Sequence, residues 1–199
     1  MATGPWGVNG SFDRRLGVAA GALAPVVALG TILLATALSP TFSWAGSALS
    51  DLGVTPASAL AFNGGLVAGG VLALPLAWVL ATDGRSVLAV VFGPTAVSMA
   101  LVGVFRSGHP LHFPVALGFY LGATLTMLID GIGSIRADGR AWGLAAIGLA
   151  VVHLGAWIAW SAGVRPGSGL AIPEAIGAVL FAIWVWTTAS RLRSSGRRG

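Results

Sequence analysis

The sequence has no cysteine and no lysine, and only six acidic residues among 199. Without cysteine there is no disulfide framework, thiolate nucleophile or cysteine metal site. Charged residues make up 9% of the chain, whereas a soluble domain carries roughly 25% because its surface must face water. So few charges cannot clothe a water-facing surface, so the exterior must meet something apolar. There is no G-x-x-x-x-G-K-[ST], H-E-x-x-H or G-x-S-x-G, which leaves the commonest phosphate-binding, zinc-protease and serine-hydrolase signatures unfilled.

What the chain has in abundance is apolar length: 56% of its residues are hydrophobic. About 20 apolar residues are needed to cross a bilayer core as a helix. Six runs qualify, at 16–38, 57–81, 87–105, 113–135, 141–161 and 170–188. They lack the apolar/polar alternation of barrel strands. The expectation is an all-α membrane protein, a single six-helix transmembrane domain over 1–199 with a basic tail at 191–199. Asp13-Arg14-Arg15 before the first run loosely suggests a twin-arginine signal. The run of about 23 residues exceeds the 7–15 of a signal core, which predicts a retained span.

All eleven basic residues are arginine. With the N-terminus inside, Arg14, Arg15, Arg85, Arg136, Arg140, Arg191, Arg193, Arg197 and Arg198 are cytoplasmic, and Arg106 and Arg165 are external. That asymmetry is the positive-inside pattern, and it places both termini in the cytoplasm and the chain in the cell membrane. The arginines flank spans rather than forming a stripe, so nucleic acid is not an expected partner. Membrane lipids are, and the basic tail suits anionic headgroups. Gly17/Gly21, Gly65/Gly69, Gly118/Gly122 and Gly139/Gly143 are each four apart, a spacing that lets helix backbones approach closely. Packing within the chain explains them; a homodimer is compatible but not required. Pro25, Pro75 and Pro94 fall inside spans, where each can kink its helix. Trp44, Trp142, Trp160 and Trp186 near span ends read as interfacial anchors.

Ionisable groups are costly in a bilayer, so their placement is informative. Asp83, Asp130 and Asp138 fall on the inner side, where Arg85, Arg136 or Arg140 can pair with them. His153, midway along the fifth span, reads as a buried helix–helix hydrogen bond. The other polar residues gather at the outer interface: Ser47, Ser50, Asp51, Arg106, His109, His112, Arg165 and Glu174, with Asn63 two turns into the second span. Pro110 suits the first turn of the fourth span, which would make His109 its cap and His112 a first-turn residue. Ser50, Asp51, His112 and Glu174 are the candidate catalytic set. Asn63, Arg106, His109 and Arg165 are the candidate ligand-binding set. Asp51, His109 and His112 could hold a divalent metal such as zinc, though no cofactor is firmly implied.

The pieces Ser50-Asp51-Leu52-Gly53 with Pro56, Phe62 and Asn63, His112 with Phe119 and Tyr120, and Pro173-Glu174 carry a resemblance. The sequence resembles the prokaryotic six-span family catalogued as domain of unknown function 998. More distantly it is similar to the DRAM (damage-regulated autophagy modulator) superfamily, which includes GPI-anchor remodelling proteins. That resemblance implies a six-helix fold with a polar first outer loop, acting on or around lipids. Ser50, Asp51, His112 and Glu174 match as motif positions; Arg106 and His109 do not.

Three functions compete. A headgroup-binding or lipid-regulating protein would place Arg106 or Arg165 on phosphate, with either arginine free instead to pair with Asp51 or Glu174. A lipid hydrolase or acyltransferase at the outer leaflet would use a metal-bound water or Ser50 with His112 as base. A small-solute transporter is disfavoured by the lack of a paired inverted repeat. The topology has a direct test, since the chain has no native cysteine. Single cysteines in loops 39–56, 106–112 and 162–169 should react with an impermeant thiol reagent on intact cells, and Asp138→Cys should not. Reaction at position 138 would reverse the assignment.

Overall fold

The computed structural model describes residues 10–195, with side chains described for 14–194. Tail arginines Arg197 and Arg198 lie outside the described residues. Six helices follow the apolar runs: α1 (Gly10–Leu38), α2 (Ala59–Thr82), α3 (Ser86–Val104), α4 (His112–Arg136), α5 (Arg140–Ser161) and α6 (Ala171–Ser195). All six are long and apolar enough to cross a membrane, and no strand occurs among the described residues. The chain is a multi-pass membrane protein. Two elements depart from the sequence reading. A 3₁₀ turn, Leu49–Gly53, interrupts the first connection, and α6 continues as helix into the basic tail as far as Ser195.

The connections stop helices in a common way. After α2, the Arg85 amide donates to Leu80 O and the Gly84 amide to Ala81 O, with Gly84 at φ +79°. After α5, Val164 and Gly163 repeat the pattern on Ala159 and Trp160. Both are Schellman ends, which need a left-handed residue just past the helix. After α4 that place is taken by Asp138, at φ +60°, an aspartate being one of the few residues that tolerate it. Asp138 is exposed and has no arginine partner among the described residues. Its role is this turn, not the ion pair expected of it.

Each helix packs on its neighbours in sequence, and α6 returns to α1. α4 and α6 also touch each other, so α5 lies in the groove outside them. The ring proper is α1, α2, α3, α4 and α6. Glycines set its tightness. Gly17 and Gly21 face Pro75, Leu76 and Val79; Gly65 and Gly69 face Thr31 and Ala28; Gly118 and Gly122 face Ser98 and Thr95. These three pairs pack within the chain, as expected. Gly139 instead caps α5 beside Ser134, and Gly143 meets Gly131 across the α4–α5 contact. Pro25, Pro75 and Pro94 are all inside helices. Arg14 ties the ring at its seam: it forks onto Asp83 at 3.1 and 2.7 Å and donates to Leu192 O at 3.1 Å. Asp83 therefore pairs with α1, not with Arg85, Arg136 or Arg140.

The ring has two ends. The arginine end carries the start of α1 and the end of α6; the far end carries the connections 39–58, 105–111 and 162–170. Helix contact in the ring predicts a graded response to added methyls. A Cβ on Gly70 would sit 2.6 Å from the Ala96 carbonyl oxygen of α3, whereas Gly30 has nothing within 4 Å. Overpacking costs about 1–3 kcal/mol, so Gly70→Ala should lower the melting temperature of the purified protein while Gly30→Ala leaves it unchanged. Equal melting of the two variants would contradict this packing.

Candidate functional site

At the far end the first connection is laid across the ring and fastened to α6. The Gly169 amide donates to Ala45 O at 2.8 Å and the Ala171 amide to Ser47 O at 2.9 Å. The next two amides of the first connection each meet a carboxylate. Ala48 N–H donates to Asp51 Oδ2 at 2.8 Å, and Leu49 N–H to Glu174 Oε2 at 2.6 Å. Asp51 thus closes its own 3₁₀ turn, while Glu174, buried at 8% exposure, holds that turn against α6. Asn63 donates from Nδ2 to Gly53 O at 2.8 Å, pinning the end of the same turn to α2. The motif residues around Ser50 are therefore the parts of one small lid.

Beneath the lid is a narrow cavity of about 70 Å³ inside the ring. Its mouth is Ser50, His112, Tyr120 and Glu174, and its walls are apolar residues of α1, α2, α3, α4 and α6. Glu174 and Val185, three turns apart on α6, both line it. Three mouth atoms have no protein partner among the described residues. Glu174 Oε1 is one. Ser50 Oγ is another. The third is His112 Nε2: Nδ1 lies 2.7 Å from the Phe105 carbonyl oxygen, which can only accept, so Nδ1 carries a proton and donates. Tyr120 O–H reaches the Glu174 carbonyl at 3.4 Å.

The structure thus brings Ser50, His112 and Glu174 to one cavity and leaves Asp51 beside them in a capping role. The other candidates stand apart. His109 is exposed, accepts the Leu111 amide at Nδ1 (3.1 Å) and stacks on Phe105. It caps a turn rather than α4, whose N-cap is Leu111, and Pro110 precedes the helix. Pro114 occupies the first turn instead, where its missing N–H is no loss. Arg106 is exposed, and Arg165 is exposed with its guanidinium 4.7 Å over the Trp160 ring. Neither pairs with Asp51 or Glu174. No three of histidine, aspartate and glutamate gather closely enough for a metal among the described residues. The set Asp51, His109 and His112 is not brought together, because two of the three are committed to local turns.

His153 behaves as the sequence suggested. It is fully buried in α5. Trp157 Nε1 donates to its Nε2 at 3.2 Å, so Nδ1 carries the proton and donates to Thr124 Oγ1 of α4 at 3.1 Å. The Thr124 hydroxyl passes on to the Tyr120 carbonyl. Every polar atom of the group is paired, which marks it as a fastening of α5 to the ring.

A second polar centre lies at the arginine end. Asp130 is buried in α4, and four donors converge on it. Arg85 and Ser134 (3.2 Å) meet Oδ1; the indoles of Trp142 (3.0 Å) and Trp184 (2.8 Å) meet Oδ2. The Arg85 partner was legible from the sequence, but the two indoles were not. Trp142 had read as an interfacial anchor, and Trp184, fully buried, had no polar sequence neighbour to single it out.

The two centres belong to one stretch of chain that known proteins share. A family model described as Protein of unknown function (DUF998) matches residues 22–191. The chain belongs to the DUF998 family. The match takes in the lid, the cavity walls and Asp130 of this DUF998 chain. No curated protein and no solved structure matches it.

Asp130 supports a stability prediction. Removing one partner of a buried pair leaves the other uncompensated, at about 3 kcal/mol or more. Arg85→Ala leaves the fully buried carboxylate uncompensated and Asp130→Ala strands two indole N–H groups, so both should lower the melting temperature. If Asp130→Ala melted like the parent protein, the four-donor arrangement would be wrong.

Proposed function

We propose that this membrane protein binds a single-chain amphiphile, with the head at Ser50, His112 and Glu174 and only the first part of the chain entering the ring. One observation carries the reading: a small cavity of about 70 Å³ with apolar walls is lined by Ser50, His112 and Glu174, each with a polar atom that lacks a protein partner. Ligand sites have this character, mostly apolar with a few placed polar groups.

The source of affinity follows from the surroundings. An apolar chain leaving lipid for an apolar channel gains no hydrophobic free energy, because lipid tails are equally apolar. Recognition must come from packing and from the head. No arginine lines the mouth, and the free atoms are a glutamate side-chain oxygen, a serine hydroxyl and an imidazole nitrogen. A head carrying hydroxyl or amine donors complements them; a bare phosphate does not. Arg106 and Arg165, which suited phosphate in the sequence, are not part of this mouth. The resemblance to the DRAM superfamily, whose relatives act around lipids, agrees with the reading and rests on the motif residues alone. By the arginine asymmetry the mouth faces the outer leaflet.

An enzyme acting on such a lipid would use the same mouth, with Ser50 as nucleophile and His112 as base. Both line it, but no hydrogen bond joins them, so binding is the better-supported reading.

Native mass spectrometry on protein released without harsh detergent tests the proposal. A single-chain amphiphile should remain bound. Ala178→Trp, which fills the channel wall, should weaken its retention at least about tenfold, equal to about 1.4 kcal/mol. Ser50→Ala should alter head selectivity without emptying the channel. Retention unchanged by Ala178→Trp in a protein that still melts cooperatively would end the proposal.

A further inference from the structure

Among the described residues two acidic side chains are buried, Asp130 and Glu174, and their surroundings differ. Asp130 has four donors, one of them the guanidinium of Arg85. Glu174 has one protein donor among the described residues, the Leu49 amide on Oε2. No cation pairs with it. Arg106 and Arg165 are the two arginines of the far end. Both are exposed, Arg165 lies over the Trp160 ring, and neither lines the cavity. No ion pair joins His112 to Glu174 among the described residues. The other acidic group of the far end is Asp51, whose charge adds to that of Glu174 instead of opposing it. A buried carboxylate without a counter-charge is strongly unfavourable.

The free atoms beside Glu174 show what would answer it. Ser50, His112 and Glu174 line one cavity, and the atoms without protein partners are Oγ, Nε2 and Oε1. A hydroxyl oxygen, the second nitrogen of a neutral imidazole and a carboxylate oxygen all accept hydrogen bonds. A primary ammonium has three N–H donors and no acceptor. One such group serves all three atoms and supplies the missing positive charge. Hydrogen bonds assisted by charge in this way are about twice as strong as neutral ones. A hydroxyl head brings one donor and no charge, which leaves Glu174 uncompensated. The cavity volume of about 70 Å³ is far below the range of about 300–1,000 Å³ for drug-sized ligands, so the head is compact.

We propose that the ligand of this cavity is a long-chain primary amine, bound as its ammonium between Glu174, Ser50 and His112. The proposal rests on the amphiphile reading above and narrows it, from a head with any hydroxyl or amine donor to one with a positive charge and three N–H groups.

Three probes with the same dodecyl chain separate charge from hydrogen bonding: dodecylamine, 1-dodecanol and dodecyltrimethylammonium. Near neutral pH the amine is protonated, the alcohol has a donor without charge, and the quaternary ion has charge without a donor. Each is offered to the protein in nanodiscs, and retention is read by native mass spectrometry. The parent protein should retain dodecylamine at least about tenfold over each of the other two. Glu174→Gln keeps a side-chain oxygen for the Leu49 amide but removes the charge. It should lose the preference for the amine and retain 1-dodecanol as the parent does. Equal retention of 1-dodecanol and dodecylamine by the parent would overturn the ammonium assignment and leave the amphiphile reading standing. Equal retention of dodecyltrimethylammonium would overturn it too, since the effect would then be diffuse attraction to acidic groups. A preference that survives in Glu174→Gln overturns it as well. Retention of none of the three would end the amphiphile reading itself. If Glu174→Gln fails to fold, the comparison of the three probes on the parent protein still decides.

Discussion

A carboxylate buried among helices is costly unless every lone pair is used, and Asp130 meets that condition with donors from four elements. Arg85 comes from the α2–α3 turn, Ser134 from α4 itself, Trp142 from α5 and Trp184 from α6. Each must be in register for the charge to be compensated, so the group fixes helix positions that apolar packing alone leaves free to slide. Lipid supplies no drive for helices to associate, which makes such a polar group the natural reference point of the bundle. Trp184 extends its reach. Its indole N–H serves Asp130 while its ring stacks on Phe181 at 5.8 Å and meets Phe92 of α3 at 5.5 Å. Phe181 in turn meets Phe119 of α4 and lines the channel. A plug of four aromatic rings thus closes the channel on the side of Asp130.

The helices were legible in the sequence because length and hydropathy are local properties, and each apolar run became a helix shifted by a few residues at its ends. The Arg85–Asp130 pair was legible because so few charges are present that partners are nearly forced. His153 was legible for the same reason. What could not be read is what depends on closing the ring. Nothing in the neighbourhood of Trp184 distinguishes it from Trp186 two residues on, yet one is fully buried on a carboxylate and the other is exposed. The channel has no linear signature, since its walls come from five helices. Of the outer polar residues, Ser50, His112 and Glu174 line one cavity. His109 and Asp51 did not join as metal ligands, because short polar side chains beside turns are drawn first to the backbone amides next to them.

The place of α5 outside the α4–α6 groove divides the molecule into a ring and a buttress. α5 contributes no residue to the far-end channel, and much of its surface, including Leu144, Val151, Val152, Leu154 and Ile158, faces outward. It is held by three kinds of contact at three heights: Trp142 on Asp130, His153 on Thr124, and the Trp160 indole on the Gly169 carbonyl. Gly131 and Gly143 bring the α4 and α5 backbones together between these bonds. α5 is thus held to the ring by polar bonds, while the far-end cavity keeps apolar walls.

The shortest helix has a consequence for the surrounding bilayer. α3 has 19 residues, against 24 for α2 and 25 for α4 on either side. At about 1.5 Å per residue α3 spans about 28 Å, slightly less than a typical hydrocarbon core of about 30 Å. Its longer neighbours can shorten their projection by tilting, but α3 cannot lengthen. On that side of the ring a thicker membrane must thin to meet the protein, at fractions of a kcal/mol per Å of mismatch. α3 is thus the helix whose length limits how thick a bilayer the bundle meets without deforming it.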